Sequence, residues 1–164
     1  MSERRREFTW EDPERLHMAI ADSSGLDLLL GIASQSLPAP PINVTLGMTV
    51  LEVTEGRTVI SLTPDEWHYN QTGNIHGSIA AALLDSAMGS AVQTGLRAGQ
   101  SYTTLDLSVR YLRPATKATG ELRCTGSVVS LGRRVATAAG QVTDTEGKII
   151  ATGTTSCLIF SPDV

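Results

Sequence analysis

A polar loop that leads into a helix rich in small residues contains the side chains best suited to chemistry. Gly77 stands where this helix is predicted to begin, and Asn70 and His76 precede it in the loop. Unpaired backbone N–H groups make a helix N-terminus a site for negative charge. Because glycine has no side chain, a ligand atom can approach the Gly77 N–H directly. We therefore predict a site for negative charge at Gly77, flanked by two hydrogen-bonding side chains.

Asp85 is a carboxylate two turns into a helix that is otherwise apolar. Burying a carboxylate costs free energy unless it is paired or used. A carboxylate in this position would suit a general base or a nucleophile. A structural interpretation stays open here, in which the acid is hydrogen-bonded to a neighbouring strand.

The spacing of Gly77 and Asp85 has a geometric consequence. Eight residues separate them along one helix, which corresponds to roughly 12 Å at a rise of about 1.5 Å per residue. Asp85 is therefore too far away to serve a carbonyl held at the start of its own helix. If both residues act on one substrate, the acid must come from a second copy of the chain, and a two-fold dimer with antiparallel helices would supply it.

The elements predicted around this helix come in a simple order: a helix, two strands, the long small-residue helix and four more strands. The first helix should end before the proline-rich segment 37–41, because consecutive prolines cannot continue a helix. We predict a flexible or partly helical extension over residues 1–24 and one domain over residues 25–164. The predicted helices cover residues 25–33 and 77–95, and the predicted strands cover residues 45–53, 57–63, 102–112, 120–131, 133–143 and 148–160.

These elements favour one antiparallel sheet wrapped around one buried helix. Strands joined by tight turns pair antiparallel, and a helix without a polar face is normally buried. The strand after the helix is expected to cross to the far side of the sheet. The sequence thus predicts an α+β hotdog fold with about six strands, a central buried helix and a short N-terminal helix. A two-layer sheet with the helix on an exposed face fits less well, because that helix would need a polar face.

Composition argues against several classes of protein. The chain has 164 residues, of which 41% are hydrophobic and 18% charged, as in folded globular domains. Its net charge of −4 gives no general attraction to nucleic acid or to an anionic membrane. We expect no signal peptide, because the stretch 8–15 after the basic start is polar, and no apolar run in the sequence is long enough for a membrane span. Cys124 and Cys157 lack CxxC spacing, so we expect structural thiols, no metal site and a cytoplasmic protein.

Several spaced motifs occur in the same order as in a known enzyme family. Asn70, Gly73, His76 and Gly77 form an Asn-x-x-Gly-x-x-His-Gly pattern, and Asp85 follows the histidine by nine residues. With the segment 111–115 at a strand end and the hairpin 132–134, this pattern resembles the PaaI-like (phenylacetic acid degradation type) hotdog-fold acyl-CoA thioesterases. The likeness extends over about residues 25–160.

In that family the reaction is hydrolysis of an acyl-CoA thioester to the free acid and coenzyme A. The resemblance implies that the Gly77 N–H polarises the thioester carbonyl and stabilises its oxyanion. Asn70 would orient that carbonyl, and His76 would hold Asn70 or the loop in place. Asp85 from the partner subunit would act as general base or nucleophile, and the Thr104 hydroxyl would position the water or the acid. No cofactor is expected.

Two positions depart from the family pattern. The family commonly has a second glycine after the histidine, and Ser78 stands here instead. A related hotdog group uses a hydroxyl one turn after the acid, and this chain has Gly89 there. The absence of a side chain at Gly89 puts more weight on Thr104 as the hydroxyl beside the acid.

Arg113, Arg133 and Arg134 are candidates for contacts with the phosphates of coenzyme A, although arginines on hairpins are often only solvated.

His17 and His68 have no acid or cysteine at ligand spacing, so we interpret both as surface or packing residues. We expect a homodimer with shared active sites that pairs further into a homotetramer, although the sequence leaves a dimer and a tetramer both open. We expect the protein to bind acyl-CoA as its substrate and to bind neither nucleic acid nor a membrane.

Two rival functions remain on the sequence alone. A hotdog hydratase is disfavoured because its Asp-x-Asn-Pro-x-His type of loop is absent. A non-catalytic acyl-CoA-binding hotdog module is disfavoured because binding alone needs no carboxylate at Asp85. Aryl, arylacetyl and medium-chain acyl groups all stay open as substrates.

Overall fold

The helices and strands are taken from a computed structural model, which describes residues 3–161. Met1, Ser2 and residues 162–164, which the predicted extension and domain include, lie outside the described residues. The helices are α1 (Glu14–Asp22), α2 (Gly25–Ala33), α3 (Pro41–Leu46) and the central α4 (Gly77–Thr94). The strands are β1 (Met48–Thr54), β2 (Arg57–Leu62), β3 (Ser101–Tyr111), β4 (Leu122–Leu131), β5 (Val135–Thr143) and β6 (Ile149–Phe160).

These six strands form one antiparallel sheet in the order β1-β2-β4-β5-β6-β3. Although β3 follows α4 directly along the chain, it pairs with β6 at the far edge, in a register that runs from Ser101 opposite Phe160 to Tyr111 opposite Ala151. The predicted crossing is therefore confirmed. So is the hotdog arrangement, with the sheet curled around α4.

The side of α4 that faces the sheet forms the centre of the hydrophobic core. Leu83, Leu84, Ala87 and Met88 are fully buried there. The opposite side is only half-buried in a single chain, at Ala81, Ala82, Ser86 and Ser90. The predicted burial is confirmed for the sheet side, and the small residues on the other side leave room for a further layer.

Gly126 on β4 lets the backbone of α4 approach the sheet closely. A Cβ atom built on Gly126 would lie 2.3 Å from the Ala87 carbonyl oxygen and 2.6 Å from the Met88 nitrogen. On the neighbouring strand, the Thr58 hydroxyl donates a hydrogen bond of 2.7 Å to the same Ala87 oxygen. These contacts determine how the helix lies across the sheet.

Replacing Gly126 with alanine is therefore expected to lower the free energy of unfolding by about 1–3 kcal/mol, because the added methyl group overlaps backbone atoms that cannot move alone. Urea denaturation at one fixed protein concentration measures the change. The matched control is Ser130→Ala, an exposed position on the same strand. Equal stability of the two variants would show that the helix does not approach the sheet this closely.

The first strand begins later than predicted. Residues 45 and 46 belong to α3, which starts with Pro41 in its first turn and ends at Gly47 with φ +74°. Proline has the backbone φ of a helix start and no N–H to leave unpaired, so it begins a helix as readily as it ends one. The proline-rich segment thus ends α2 on one side and starts α3 on the other, and only the first of these two roles was predicted.

The cysteines and two of the histidines lie where structural residues are expected. Cys124 and Cys157 are free and buried, and burial raises the pKa of the Cys124 thiol to about 12. His68 is buried with its Nδ1 accepting from the Asp65 N–H, and loss of solvation lowers its pKa, which confirms a packing role. His17 is exposed on α1.

Within residues 3–161, no helix is long and apolar enough to cross a membrane.

Candidate active site

His76 caps the helix whose first residue is Gly77. The His76 backbone is extended (φ −60°, ψ 138°), and its Nδ1 accepts a hydrogen bond of 3.1 Å from the Ser78 N–H. The Ser78 hydroxyl lies 2.7 Å from the same nitrogen. The resemblance implies that His76 holds Asn70 or the loop in place; its ring is bound to Ser78 and so orients the helix start. Ser78 itself is exposed, since it points away from the core.

Asn70 organises the loop through its side-chain oxygen. Its Oδ1 accepts from the Thr72 N–H at 2.9 Å, the Thr72 hydroxyl at 2.8 Å and the Asn74 N–H at 3.2 Å. These three donors establish which end of the amide is oxygen. The remaining group, the Nδ2 amide, donates to no other residue in the described part of the chain. Asn70 therefore offers a hydrogen-bond donor.

A cavity of about 390 Å³ connects the loop to the helix start. Its polar lining consists of Asn70, His76, Gly77, Tyr111 and Arg113. Apolar side chains from α4 and the sheet complete the wall, among them Ile75, Ala80, Leu122 and Ile150. The cavity therefore combines donors suited to a carbonyl oxygen with an apolar surface suited to a hydrocarbon group.

The ring of Tyr111 lies over Gly77, a contact that was not predicted from the sequence. A Cβ atom on Gly77 would be 3.2–3.3 Å from the ring and hydroxyl atoms of Tyr111. Tyr111 belongs to the strand-end segment 111–115 that carried the resemblance, but nothing local indicates which helix residue it meets. The absence of a side chain at Gly77 thus opens space both for a ligand and for this ring.

Asp85 forms a separate cluster with Thr104. The Thr104 hydroxyl on β3 donates a hydrogen bond of 2.8 Å to Asp85 Oδ1. Asp85 is half-buried, and its Oδ2 accepts no hydrogen bond within residues 3–161. The bond to a neighbouring strand that the structural interpretation expected is present, and one carboxylate oxygen stays available for chemistry.

Gly77 and Asp85 are not brought together within one chain. Both lie in the unbroken helix α4, so the separation of about 12 Å along its axis holds. Asp85 does not line the cavity at Gly77. A single subunit therefore presents the donors in one place and the acid in another.

The three candidate arginines also separate. Arg113 lines the cavity at Gly77. Arg133 and Arg134 are exposed in the turn between β4 and β5, and a groove there includes Arg133 and Gly95, just beyond the last turn of α4. Within one chain, these two residues therefore lie at the opposite end of the helix from Gly77.

Comparison with known proteins shows the family of this chain. The model of a family described as the thioesterase superfamily matches residues 72–151. A Halobacterium salinarum protein with a provisional esterase designation is 34% identical over 129 residues, covering 72% of this chain and 83% of that protein. The chain belongs to the thioesterase superfamily.

Other members of the superfamily include proteins of the PaaI type, as the resemblance predicted. The solved structure of a point mutant of the phenylacetic acid degradation protein PaaI from Thermus thermophilus is 30% identical, with a TM-score of 0.66 over 73% of this chain and 98% of that one. Acyl-coenzyme A thioesterase 13 of Mus musculus is 29% identical over 107 residues, covering 65% of this chain and 75% of that enzyme. The fold and the family are thus confirmed.

Proposed function

We propose that this superfamily member hydrolyses acyl-CoA thioesters to the free acid and coenzyme A. The observation that carries the proposal is the cavity lined by both Gly77, at the start of α4, and Asn70, whose side-chain amide has no other acceptor in the described residues. Preorganised donors of this kind stabilise the charge that develops on a thioester oxygen. The name of the mouse relative, an acyl-coenzyme A thioesterase, supports the same substrate class. The free, buried thiols fit the cytoplasmic location that we expect.

In the proposed reaction Asp85 of the partner subunit is the general base. It takes a proton from water while the water oxygen attacks the thioester carbon, and the carbonyl becomes an oxyanion facing the Gly77 N–H and the Asn70 amide. The C–S bond then breaks, and the thiolate of coenzyme A leaves and takes up the proton from Asp85. Direct attack by the carboxylate, followed by hydrolysis of a mixed anhydride, is the second route.

A dimer would supply the acid to the cavity. β3 is one of the two edge strands of the sheet and pairs with β6 alone among the described elements. Leu105 on this strand is 55% exposed. The half-buried small residues of α4, on the side away from the sheet, allow a second helix to pack closely. Antiparallel packing of two such helices would place each Asp85 near the other subunit's Gly77. Further pairing of dimers into a homotetramer stays a prediction.

A panel of acyl-CoA substrates tests the function. Aryl, arylacetyl and medium-chain acyl-CoA are each mixed with the protein and a thiol reagent, and release of free coenzyme A is recorded. We expect turnover of at least one class. Saturable binding of acyl-CoA with no release of thiol would instead identify a non-catalytic binding module.

Replacing Arg113 with glutamine is expected to raise KM for acyl-CoA about tenfold with little change in kcat, because a charge-assisted hydrogen bond to phosphate is lost. The same acyl group on pantetheine, which lacks the nucleotide phosphates, should show no such difference. Arg57→Gln, which removes a surface ion pair with Glu52, is the matched control. An equal rise in KM for both thioesters would contradict a phosphate contact.

A further inference from the structure

The hydroxyl of Tyr102 occupies the space that a side chain at position 89 would need. A Cβ atom built on Gly89 would lie 2.2 Å from the Tyr102 hydroxyl oxygen and 2.7–2.8 Å from two ring carbons. Real atoms do not approach so closely, so the phenol and a side chain at 89 exclude each other. Because Gly89 has no side chain, the hydroxyl at this position of α4 comes from Tyr102 on β3 and not from the helix itself.

This hydroxyl lies against α4 at Gly89, one helical turn beyond the Asp85 that pairs with Thr104. Tyr102 and Thr104 are two residues apart on β3 and share one face of the strand, before the irregularity that follows Thr104. Asp85 and Gly89 are four residues apart on α4 and also share one face. Strand and helix therefore meet at two successive points, Thr104 with Asp85 and Tyr102 with Gly89.

The hydrogen-bonding groups at these two points are complementary. The Thr104 hydroxyl donates its one proton to Asp85 Oδ1, so toward a water molecule it can only accept. A water held by Asp85 Oδ2 and the Thr104 oxygen uses both of its protons and has two lone pairs left. One lone pair attacks the thioester carbon, and a hydrogen bond donated to the other would fix the orientation of the water.

The Tyr102 hydroxyl is available as that donor. Within residues 3–161 it forms no hydrogen bond. Burial, with a further contribution from the negative charge of Asp85, raises its pKa, so the phenol keeps its proton at every physiological pH. A phenol that stays protonated can donate to the water throughout the reaction.

We propose that Tyr102 is a positioning residue whose hydroxyl donates a hydrogen bond to the water that Asp85 activates. This proposal rests on the hydrolysis proposed above. It assigns Asp85, Thr104 and Tyr102 to one site that binds the attacking water. The phenol keeps its proton throughout, and the proton released from water goes to Asp85. Gly89 contributes by leaving room for the ring.

Tyr102→Phe is the first test, because it keeps the ring over Gly89 and removes only the hydroxyl. We expect kcat to fall roughly 10- to 100-fold, with KM and the thermal unfolding temperature close to those of the parent. Tyr69→Phe, which removes a phenol that accepts a hydrogen bond from the Lys117 N–H, is the matched control. Full activity of Tyr102→Phe would overturn the proposal, and so would a rise in KM at unchanged kcat.

A hydroxyl swap separates the donor role from packing. In Tyr102→Ala/Gly89→Ser the ring is gone, and a serine on α4 can place its hydroxyl in the vacated space. Tyr102→Ala/Gly89→Ala differs from it by that hydroxyl alone. We expect the serine variant to turn over acyl-CoA at least several times faster than the alanine variant. Equal rates in two folded variants would overturn the proposal.

Asp85→Asn distinguishes failure of this inference from failure of the proposed function. If Asp85→Asn is inactive while Tyr102→Phe is fully active, the hydrolysis proposal stands and the role of Tyr102 is wrong. If Asp85→Asn retains its activity, the proposed function of Asp85 is wrong whatever Tyr102 does.

Discussion

Replacing Asp85 with asparagine is expected to lower kcat for acyl-CoA hydrolysis by about 10²–10⁴, the usual contribution of a general base. Asparagine has nearly the same shape, and its carbonyl oxygen can still accept the Thr104 hydrogen bond that Asp85 Oδ1 accepts at 2.8 Å. The substitution removes the negative charge, and with it the ability to take a proton from water or to attack the carbonyl. The rate of thiol release at saturating substrate measures the effect.

Fold and assembly should be unchanged in this variant, because Asp85 is half-buried and the amide needs less solvation than a carboxylate. Thermal unfolding and sedimentation check both properties. Asp22→Asn, which neutralises an exposed acid at the end of α1, is the matched control. Near-normal turnover by Asp85→Asn would refute a catalytic role for Asp85. Its hydrogen bond with Thr104 on β3 would then be purely structural.

Replacing Gly77 with valine is expected to lower kcat/KM by about 10²–10³, comparable to the loss of one oxyanion donor. The branched side chain would stand between the Gly77 N–H and the substrate carbonyl. It would also meet the Tyr111 ring, since even a Cβ atom at Gly77 lies 3.2–3.3 Å from that ring. Because Tyr111 is 56% exposed, its ring can turn away, so the variant should still fold.

Gly77→Ala gives a graded control for this prediction. One methyl group shields the N–H less than an isopropyl group, and the backbone at Gly77 has no left-handed conformation that would strain alanine. We expect a smaller loss of kcat/KM than for valine. Unchanged binding and turnover in Gly77→Val would show that no carbonyl approaches this N–H.

The two variants together test whether the active site is shared. In a mixed dimer of Asp85→Asn and Gly77→Val subunits, one site receives both defects and the other receives neither. Activity should therefore return when the two inactive proteins exchange subunits. If the site lay within one chain, every subunit would carry a defect and the mixture would stay inactive, so no recovery after proven exchange would contradict the shared site.

Much of the fold could be predicted because its signals are local. Hydrophobic periodicity, glycine-containing turns and the small-residue pattern placed α4 and five of the strands within about two residues of their observed bounds. The start of α4 at Gly77 was predictable for the same reason. The start of β1 was predicted too early because residues 45 and 46 belong to α3. Prolines can begin a helix as well as end one, so the proline-rich segment did not indicate which structure follows it.

The site was predictable only in part. The sequence pattern indicated Gly77, Asn70 and Asp85 as site residues. The rise of the helix showed that Gly77 and Asp85 cannot meet within one chain. The pattern did not indicate that the His76 ring would bind Ser78. Side-chain partners in a loop depend on rotamers and backbone angles that residue type alone leaves open.

Contacts between distant segments were decided by tertiary structure. Tyr102 meets Gly89, and Tyr111 meets Gly77, only because β3 crosses to the far edge and lies along α4 in one register. The position of α4 on the sheet depends in turn on the close contact between Gly126 and the backbone of the helix. A sequence limits which residues can make such contacts, but packing between elements far apart in the chain selects the ones that form.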